Sequence, residues 1–257
     1  MSTLISHEIP KALFPHQSLI SDYPYALGHL LGKDKEYSEF YKYQFKNSQF
    51  GILDNSCFEL GKSIDLKDLK SVVNEYVPSH YILPDQLHSQ YETLQMSEEF
   101  LALHNSQLDS APIGVVQGKS FNELIQCIQW YLDHHVRFIA IPFDPLPDSE
   151  FGITRYFFFK EIFDYYVKKN VGVRWHFLGC QNPSEFQLYS PEMKEFIYSV
   201  DTSSPIITGW NGIKYGDYGY SQGKPKEKLA DSLDIELSYD QIQDIIYNVK
   251  KFKQYWK

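Results

Sequence analysis

Five short apolar runs in this chain each lead to a side chain that can handle a proton or a hydrogen bond. Phe50-Gly51-Ile52-Leu53 ends at Asp54, Tyr81-Ile82-Leu83-Pro84 at Asp85, and Ile113-Gly114-Val115-Val116 at Gln117. Phe138-Ile139-Ala140-Ile141 leads through Pro142-Phe143 to Asp144, and Phe196-Ile197-Tyr198-Ser199-Val200 ends at Asp201. Taken singly, an Asp after an apolar run is as often a turn residue or a helix N-cap as a functional group. The set is harder to explain that way. Carboxylates converging from separate strands are the raw material for acid–base and nucleophilic chemistry at an anomeric carbon. Metal chemistry fits less well, because the nine His show no His-x-x-x-His spacing and the three Cys no Cys-x-x-Cys spacing. A carboxylate-only Mg²⁺ site is left open by the spacing. Cys57 and Cys180 lie near run ends without an obvious basic activator, so buried, unreactive thiols are expected.

The apolar runs alternate with stretches of helical periodicity. Leu66, Leu69, Val72, Val73 and Tyr76 share one face, and Phe159, Ile162, Phe163 and Tyr166 share another. Further helices are predicted over about 35–46 and 91–104, and Ser120 with Glu123 forms a capping-box pattern ahead of Leu124, Ile125, Ile128 and Leu132. With Tyr25-Ala26-Leu27-Gly28-His29 as a first strand and Val173–Leu178, ending at Gly179, as a sixth, seven strands alternate with helices. Ile206-Ile207-Thr208 is the candidate for an eighth. Near-continuous apolar strands alternating with helices require a parallel sheet covered on both faces. The expected fold is α/β, a single-domain (β/α)8 TIM-like barrel over residues 1–257, with a long loop at about 209–237 and a C-terminal helix at about 238–254 capped by Ser238 and Gln241. No Gly-x-Gly-x-x-Gly opens any helix, which counts against dinucleotide binding.

Composition narrows the setting. At 257 residues, one α/β barrel accounts for the whole chain. The odd, widely spaced cysteines Cys57, Cys127 and Cys180 argue against a disulfide framework and for a reducing cytoplasm. Neither a run of about 18 apolar residues nor a secretory leader is evident, so no membrane partner is expected. The net charge of −9 argues against a broad grip on nucleic acid. Lys224, Lys226 and Lys228, and Lys250, Lys251, Lys253 and Lys257, are local basic clusters whose simplest reading is a solvated face.

The order of these motifs resembles the tRNA-guanine transglycosylase superfamily, above all its zinc-free branch, the 7-deazaguanine DNA transglycosylases. Leu53-Asp54-Asn55-Ser56-Cys57-Phe58-Glu59 is similar to the family's Asp-Ser-Gly-Gly-(Phe/Tyr)-Gln segment, and Gly114-Val115-Val116-Gln117-Gly118 to its Gly-Ile-Val-Gln-Gly strand. His176 to Glu185 resembles its Tyr-Leu-Met-Gly-x-Gly-x-Pro-x-(Asp/Glu) segment, and Tyr198-Ser199-Val200-Asp201 falls where its nucleophile lies, with Pro205 following. The resemblance spans about 50–208. It departs from the tRNA enzymes in having no Cys after Cys180 for a zinc site, in Ala140-Ile141-Pro142-Phe143 where they have Gly-Gly-Leu, and in lacking their Thr-Arg after the nucleophile.

The resemblance implies Asp201 as nucleophile and Asp54 as general acid and base. It implies Asp85 and Gln117 as readers of a guanine edge, with Phe58 and Leu178 sandwiching the ring beside Gly179. The implied substrates are a guanine nucleotide flipped out of DNA and a free 7-deazaguanine such as the 7-cyano form. No cofactor is implied, and the acidic charge alone motivates a basic partner protein to open or hold the DNA. The alternatives are a zinc-free tRNA-acting enzyme, a carboxylate-based nucleoside or glycoside hydrolase, and a non-catalytic binding barrel, the last disfavoured by the presence of both Asp54 and Asp201. Metal analysis of the purified chain is expected to show no stoichiometric zinc; a one-to-one zinc content contradicts this reading.

Overall fold

The computed structural model describes residues 3–103, 109–146, 154–170, 172–180, 183–217, 219, 225 and 227–256. Lys224, Lys226, Lys257, His104 and the Gln181-Asn182 pair of the sequence motifs lie outside them. In chain order the elements begin with β1 (Leu4–Ser6), α1 (Gln17–Ile20), β2 (Tyr25–Leu27), α2 (Lys35–Asn47), β3 (Ile52–Asp54), α3 (Cys57–Leu60) and α4 (Leu66–Tyr76). There follow β4 (His80–Ile82), α5 (Gln90–Ala102), β5 (Ala111–Val115), α6 (Phe121–Asp133), β6 (Phe138–Pro142) and α7 (Thr154–Ile162). The chain closes with β7 (Arg174–Leu178), α8 (Pro191–Phe196), β8 (Ile197–Asp201), α9 (Ser204–Trp210) and α10 (Tyr239–Gln254). Eight parallel strands in the order β1-β8-β7-β6-β5-β4-β3-β2, alternating with helices, give the (β/α)8 TIM-like fold expected from the sequence.

The chain divides into two compact units, Pro24–His176 and Met1–Tyr23 with Phe177–Lys257, the boundary falling inside β7. In the first of these, β2 to β6 pair in sequence order, with Leu27 level with Asp54 and Val115 level with Ala140. Burial follows the helical periodicity: Leu69, Val73 and Tyr76 of α4, and Leu124, Cys127, Ile128 and Tyr131 of α6, face the core. Side chains at the N-termini satisfy donors the helices cannot use. Asp65 accepts from the Lys67 N–H, Ser89 from Glu92 and Ser120 from Glu123. The Ser120 capping box is only half made, because the Glu123 carboxylate takes the Lys119 N–H instead of that of Ser120. At Ser238 and Gln241 the box is complete.

In the other unit two expectations are corrected. The first strand is Leu4–Ser6, paired with β8 so that Ser6 lies level with Asp201; Tyr25–Leu27 is the second strand. Three residues are too short a run for periodicity to register. Ile206-Ile207-Thr208 is not a strand but the middle of α9. Every residue of α9 is buried, and a short apolar run reads the same for a buried helix as for a buried strand. Pro205 sits in the first turn, where its missing N–H costs nothing, and the Thr208 hydroxyl donates to the Ser204 carbonyl at 2.6 Å. Gly209 lets this helix lie against α10: a Cβ there stands 2.6 Å from the Ile245 Cα.

Gly28 is the tightest point next to a candidate site residue. Its N–H donates to the Asp54 carbonyl at 2.9 Å, and a Cβ would come within 2.6 Å of that same oxygen. Because the clash is with backbone, it cannot be relieved by a rotamer change. Gly28→Ala is expected to lower stability by about 1–3 kcal/mol, read as a reduced urea midpoint at unchanged slope; an unaltered midpoint refutes the close approach.

Candidate functional site

Parallel pairing points the strand C-termini of each unit in one direction, so loop residues that follow them share an edge. In the Pro24–His176 unit that edge carries Asp54, Asp85 and Gln117. Asp54 is the last residue of β3, half-buried, and its Oδ1 accepts the Ser56 N–H at 3.1 Å. This short-range bond turns the chain sharply. Ser56 adopts a left-handed conformation (φ 64°), and its hydroxyl accepts the His29 N–H at 3.1 Å. The turn sends Phe58 outward on α3, where it is 55% exposed and meets Phe143 edge-on at 6.4 Å. An exposed aromatic ring has a face that a planar ligand can stack on.

Asp85 and Gln117 come together directly. Gln117 Nε2 donates to Asp85 Oδ2 at 2.6 Å, and Asn55 Nδ2 donates to Asp85 Oδ1 at 2.7 Å. Asp85 is only 3% exposed. Burial raises its pKa above the ordinary carboxylate value, while the Asn55 and Gln117 amides, by hydrogen-bonding the charged form, pull the other way. Ser63 brackets the Asp85 backbone, its hydroxyl donating to the carbonyl at 2.9 Å and accepting the N–H at 2.8 Å. The Cys57 thiol also donates to that carbonyl, and burial drives its pKa far up; it is the buried thiol expected. Asp144 lies half-buried two residues beyond β6.

In the other unit Asp201 ends β8 and is 2% exposed. Both its oxygens face the Gly179 N–H, at 3.3 and 3.4 Å. Gly179 has φ 64°, a left-handed conformation that glycine adopts without the strain a side chain brings, directly after half-buried Leu178 at the end of β7. The residue after Asp201 is a junction. The Thr202 N–H donates to the Ser6 carbonyl at 3.1 Å, and its hydroxyl donates to the Cys180 carbonyl at 3.2 Å and accepts the Ser204 N–H at 3.0 Å. Its carbonyl lies 2.8 Å from His7 Nδ1. A carbonyl only accepts, so the neutral imidazole carries its proton on Nδ1.

The residues predicted from sequence thus fall into two groups, Asp54, Phe58, Asp85 and Gln117 in one unit and Leu178, Gly179 and Asp201 in the other. Sequence reasoning missed Asn55, Ser63, Thr202 and His7 as supports. Asn55 and Thr202 adjoin predicted site residues, but His7 and Ser63 reach theirs only through the fold. Among the described residues no cluster of three or more His, Cys, Asp or Glu is arranged to hold a metal ion. No model of a known protein family matches the chain, and no curated protein matches it either.

His7 is fully buried, and burial lowers its pKa to about 4, outweighing the hydrogen bond to Thr202. Unfolded, it binds a proton near pH 6.5. Between those values the unfolded chain holds the extra proton, so the stability present above pH 6.5 is lost as pH falls toward 4, by up to about 3 kcal/mol. His80, also lowered to about 4 by burial, acts in the same direction. His7→Leu is expected to flatten the fall in stability between pH 6.5 and 4 by about one proton, measured by urea unfolding at several pH values. An unchanged pH slope contradicts a neutral buried His7.

Proposed function

We propose that this chain is a DNA guanine transglycosylase that exchanges guanine for a 7-deazaguanine base, such as the 7-cyano form, through a covalent glycosyl-aspartate intermediate. The observation that carries the reading is the buried Asp85 carboxylate, held at both oxygens by amide N–H donors, with the exposed Phe58 one residue after the Cys57 thiol that meets the Asp85 carbonyl. Such a carboxylate offers its remaining lone pairs to a ligand with paired N–H donors and a flat face, which describes the amide edge of guanine. The resemblance in motif order supports the rest of the assignment.

The chemistry requires two displacements for retention at C1′. Asp201 attacks C1′ as the bond to guanine N9 breaks, and the bonding electrons leave with the base, which Asp54 protonates. Asp54, now a carboxylate, takes the N9 proton of the incoming 7-deazaguanine. That base attacks C1′ and releases Asp201. Swapping one base for another is balanced in charge and needs no oxidant, reductant or metal. The Gly179 N–H faces both oxygens of Asp201. An acidic chain fits an enzyme that takes one flipped nucleotide and relies on a basic partner for the duplex.

Labelled guanine supplied with DNA and, separately, with RNA tests the substrate class: incorporation into DNA alone is expected, incorporation into RNA alone overturns the DNA assignment, and release of free base without exchange points to a hydrolase. Asp201→Asn is expected to reduce exchange by roughly 10³-fold or more with the fold retained, and to abolish the protein–DNA adduct on a denaturing gel. No residue from Val200 to Ser204 other than Asp201 carries a carboxylate that could replace it. Asp54→Asn is expected to slow exchange while leaving a trace of adduct, since it removes proton transfer and not the nucleophile. Near wild-type exchange by Asp201→Asn moves the nucleophile elsewhere, with Asp144 next in line.

A further inference from the structure

Asn55 is 1% exposed, and its hydrogen-bonding partners leave it one orientation. The Cys57 N–H can only donate, so the oxygen it meets at 2.8 Å must be Asn55 Oδ1. The Leu83 carbonyl can only accept, so Nδ2 must face it, at 2.6 Å. The second Nδ2 hydrogen then goes to Asp85 Oδ1 at 2.7 Å. Gln117 is oriented by the same logic. Its Oε1 accepts the His88 N–H at 3.0 Å, which leaves Nε2 on Asp85 Oδ2 at 2.6 Å. His88 holds that position with φ 59°, a left-handed conformation costly for a non-glycine residue. Two backbone N–H groups thus fix two amides, and the two amides fix one carboxylate.

We propose that Asn55 is a positioning residue that, together with Gln117, holds Asp85 as an acceptor-only edge for a ligand carrying two adjacent N–H donors. Each Asp85 oxygen spends one lone pair on an amide, and the Cys57 thiol adds a third hydrogen bond to the carboxylate, so what remains of the edge can accept and cannot donate. Three donated hydrogen bonds, from Asn55, Gln117 and Cys57, favour the ionised carboxylate, and opposing them is the burial that raises Asp85. The titratable groups around it are Cys57 on α3 and Cys127 and Tyr131 on α6, each pushed up by burial and so neutral at ordinary pH, with Asp54 at the end of β3 acting on Cys57. Binding through the ionised edge is present above the raised Asp85 value and is lost as pH falls through it. Removing the Asn55 donor takes away a hydrogen bond to the charged form and moves that loss to higher pH. The choice of guanine as the probe ligand rests on the function proposed above; the clamp itself does not.

The test uses the full chain. The Asp85 side-chain carboxyl is followed through a pH titration by ¹³C NMR, assigned by comparison with Asp85→Asn, and guanine binding is measured by calorimetry at the same pH values. Asn55→Ala is expected to raise the Asp85 midpoint by about one unit and to weaken guanine binding about tenfold near neutrality, with the deficit growing as pH falls. Asn55→Ser, a smaller change that keeps one hydroxyl donor, is measured beside it and is expected to recover part of both effects, which a merely destabilised fold does not do. An Asp85 midpoint unmoved in the folded variants overturns the proposal, whether or not the wild-type chain exchanges bases. A midpoint that moves as expected in a chain that binds no guanine supports the clamp and removes guanine as its ligand.

Discussion

A parallel strand cannot be joined to its neighbour by a tight turn; the chain must cross back along the whole length of the sheet, and a helix is the economical way to do it. From that constraint the rest follows. Every crossover returns the chain to the same starting edge, so in the Pro24–His176 unit the C-termini of β2 to β6 share the opposite one. The residues just beyond the strands are freed from sheet pairing there, and their side chains are available for something else. In the other unit β1 and β8 obey the same rule, and Ser6 and Asp201 end level with one another. Asp54, Asp85, Gln117 and Asp201 need no individual explanation for being at strand ends once the pairing is parallel.

Charge at such an edge has to be supported, because a carboxylate that is 3% or 2% exposed has given up most of its water. The two buried aspartates solve this differently. Asp85 is held by side-chain amides whose own orientation is forced by backbone donors. Asp201 faces a backbone N–H at the long end of hydrogen-bond distance, and its neighbour Thr202 carries the anchoring contacts to Ser6, Cys180 and His7. A carboxylate gripped at both oxygens suits recognition. One whose backbone position is set through its neighbour suits attack on carbon. That contrast fits the separate roles proposed for Asp85 and Asp201.

Much of this was legible without coordinates. Apolar runs alternating with 3.6-residue periodicity set the β/α order, because burial on both faces of a parallel sheet permits no other pattern, and the same alternation placed Asp54 and Asp201 at strand ends. Caps at Ser120 and Ser238 were readable because they depend on residues three apart. Where the reading failed, local signal was too short or ambiguous. Leu4–Ser6 is a strand only because β8 lies beside it, and Ile206–Thr208 is helical because α10 packs against Gly209 closely enough to bury α9 all round. Tertiary structure alone decided the supports of the site. Asn55 reaches Asp85 across 30 residues and His7 reaches Thr202 across 195, and such pairings leave no trace in spacing. A sequence fixes which side chains follow each strand; which of them hold one another depends on the register of strands far apart in the chain, and only folding sets that register.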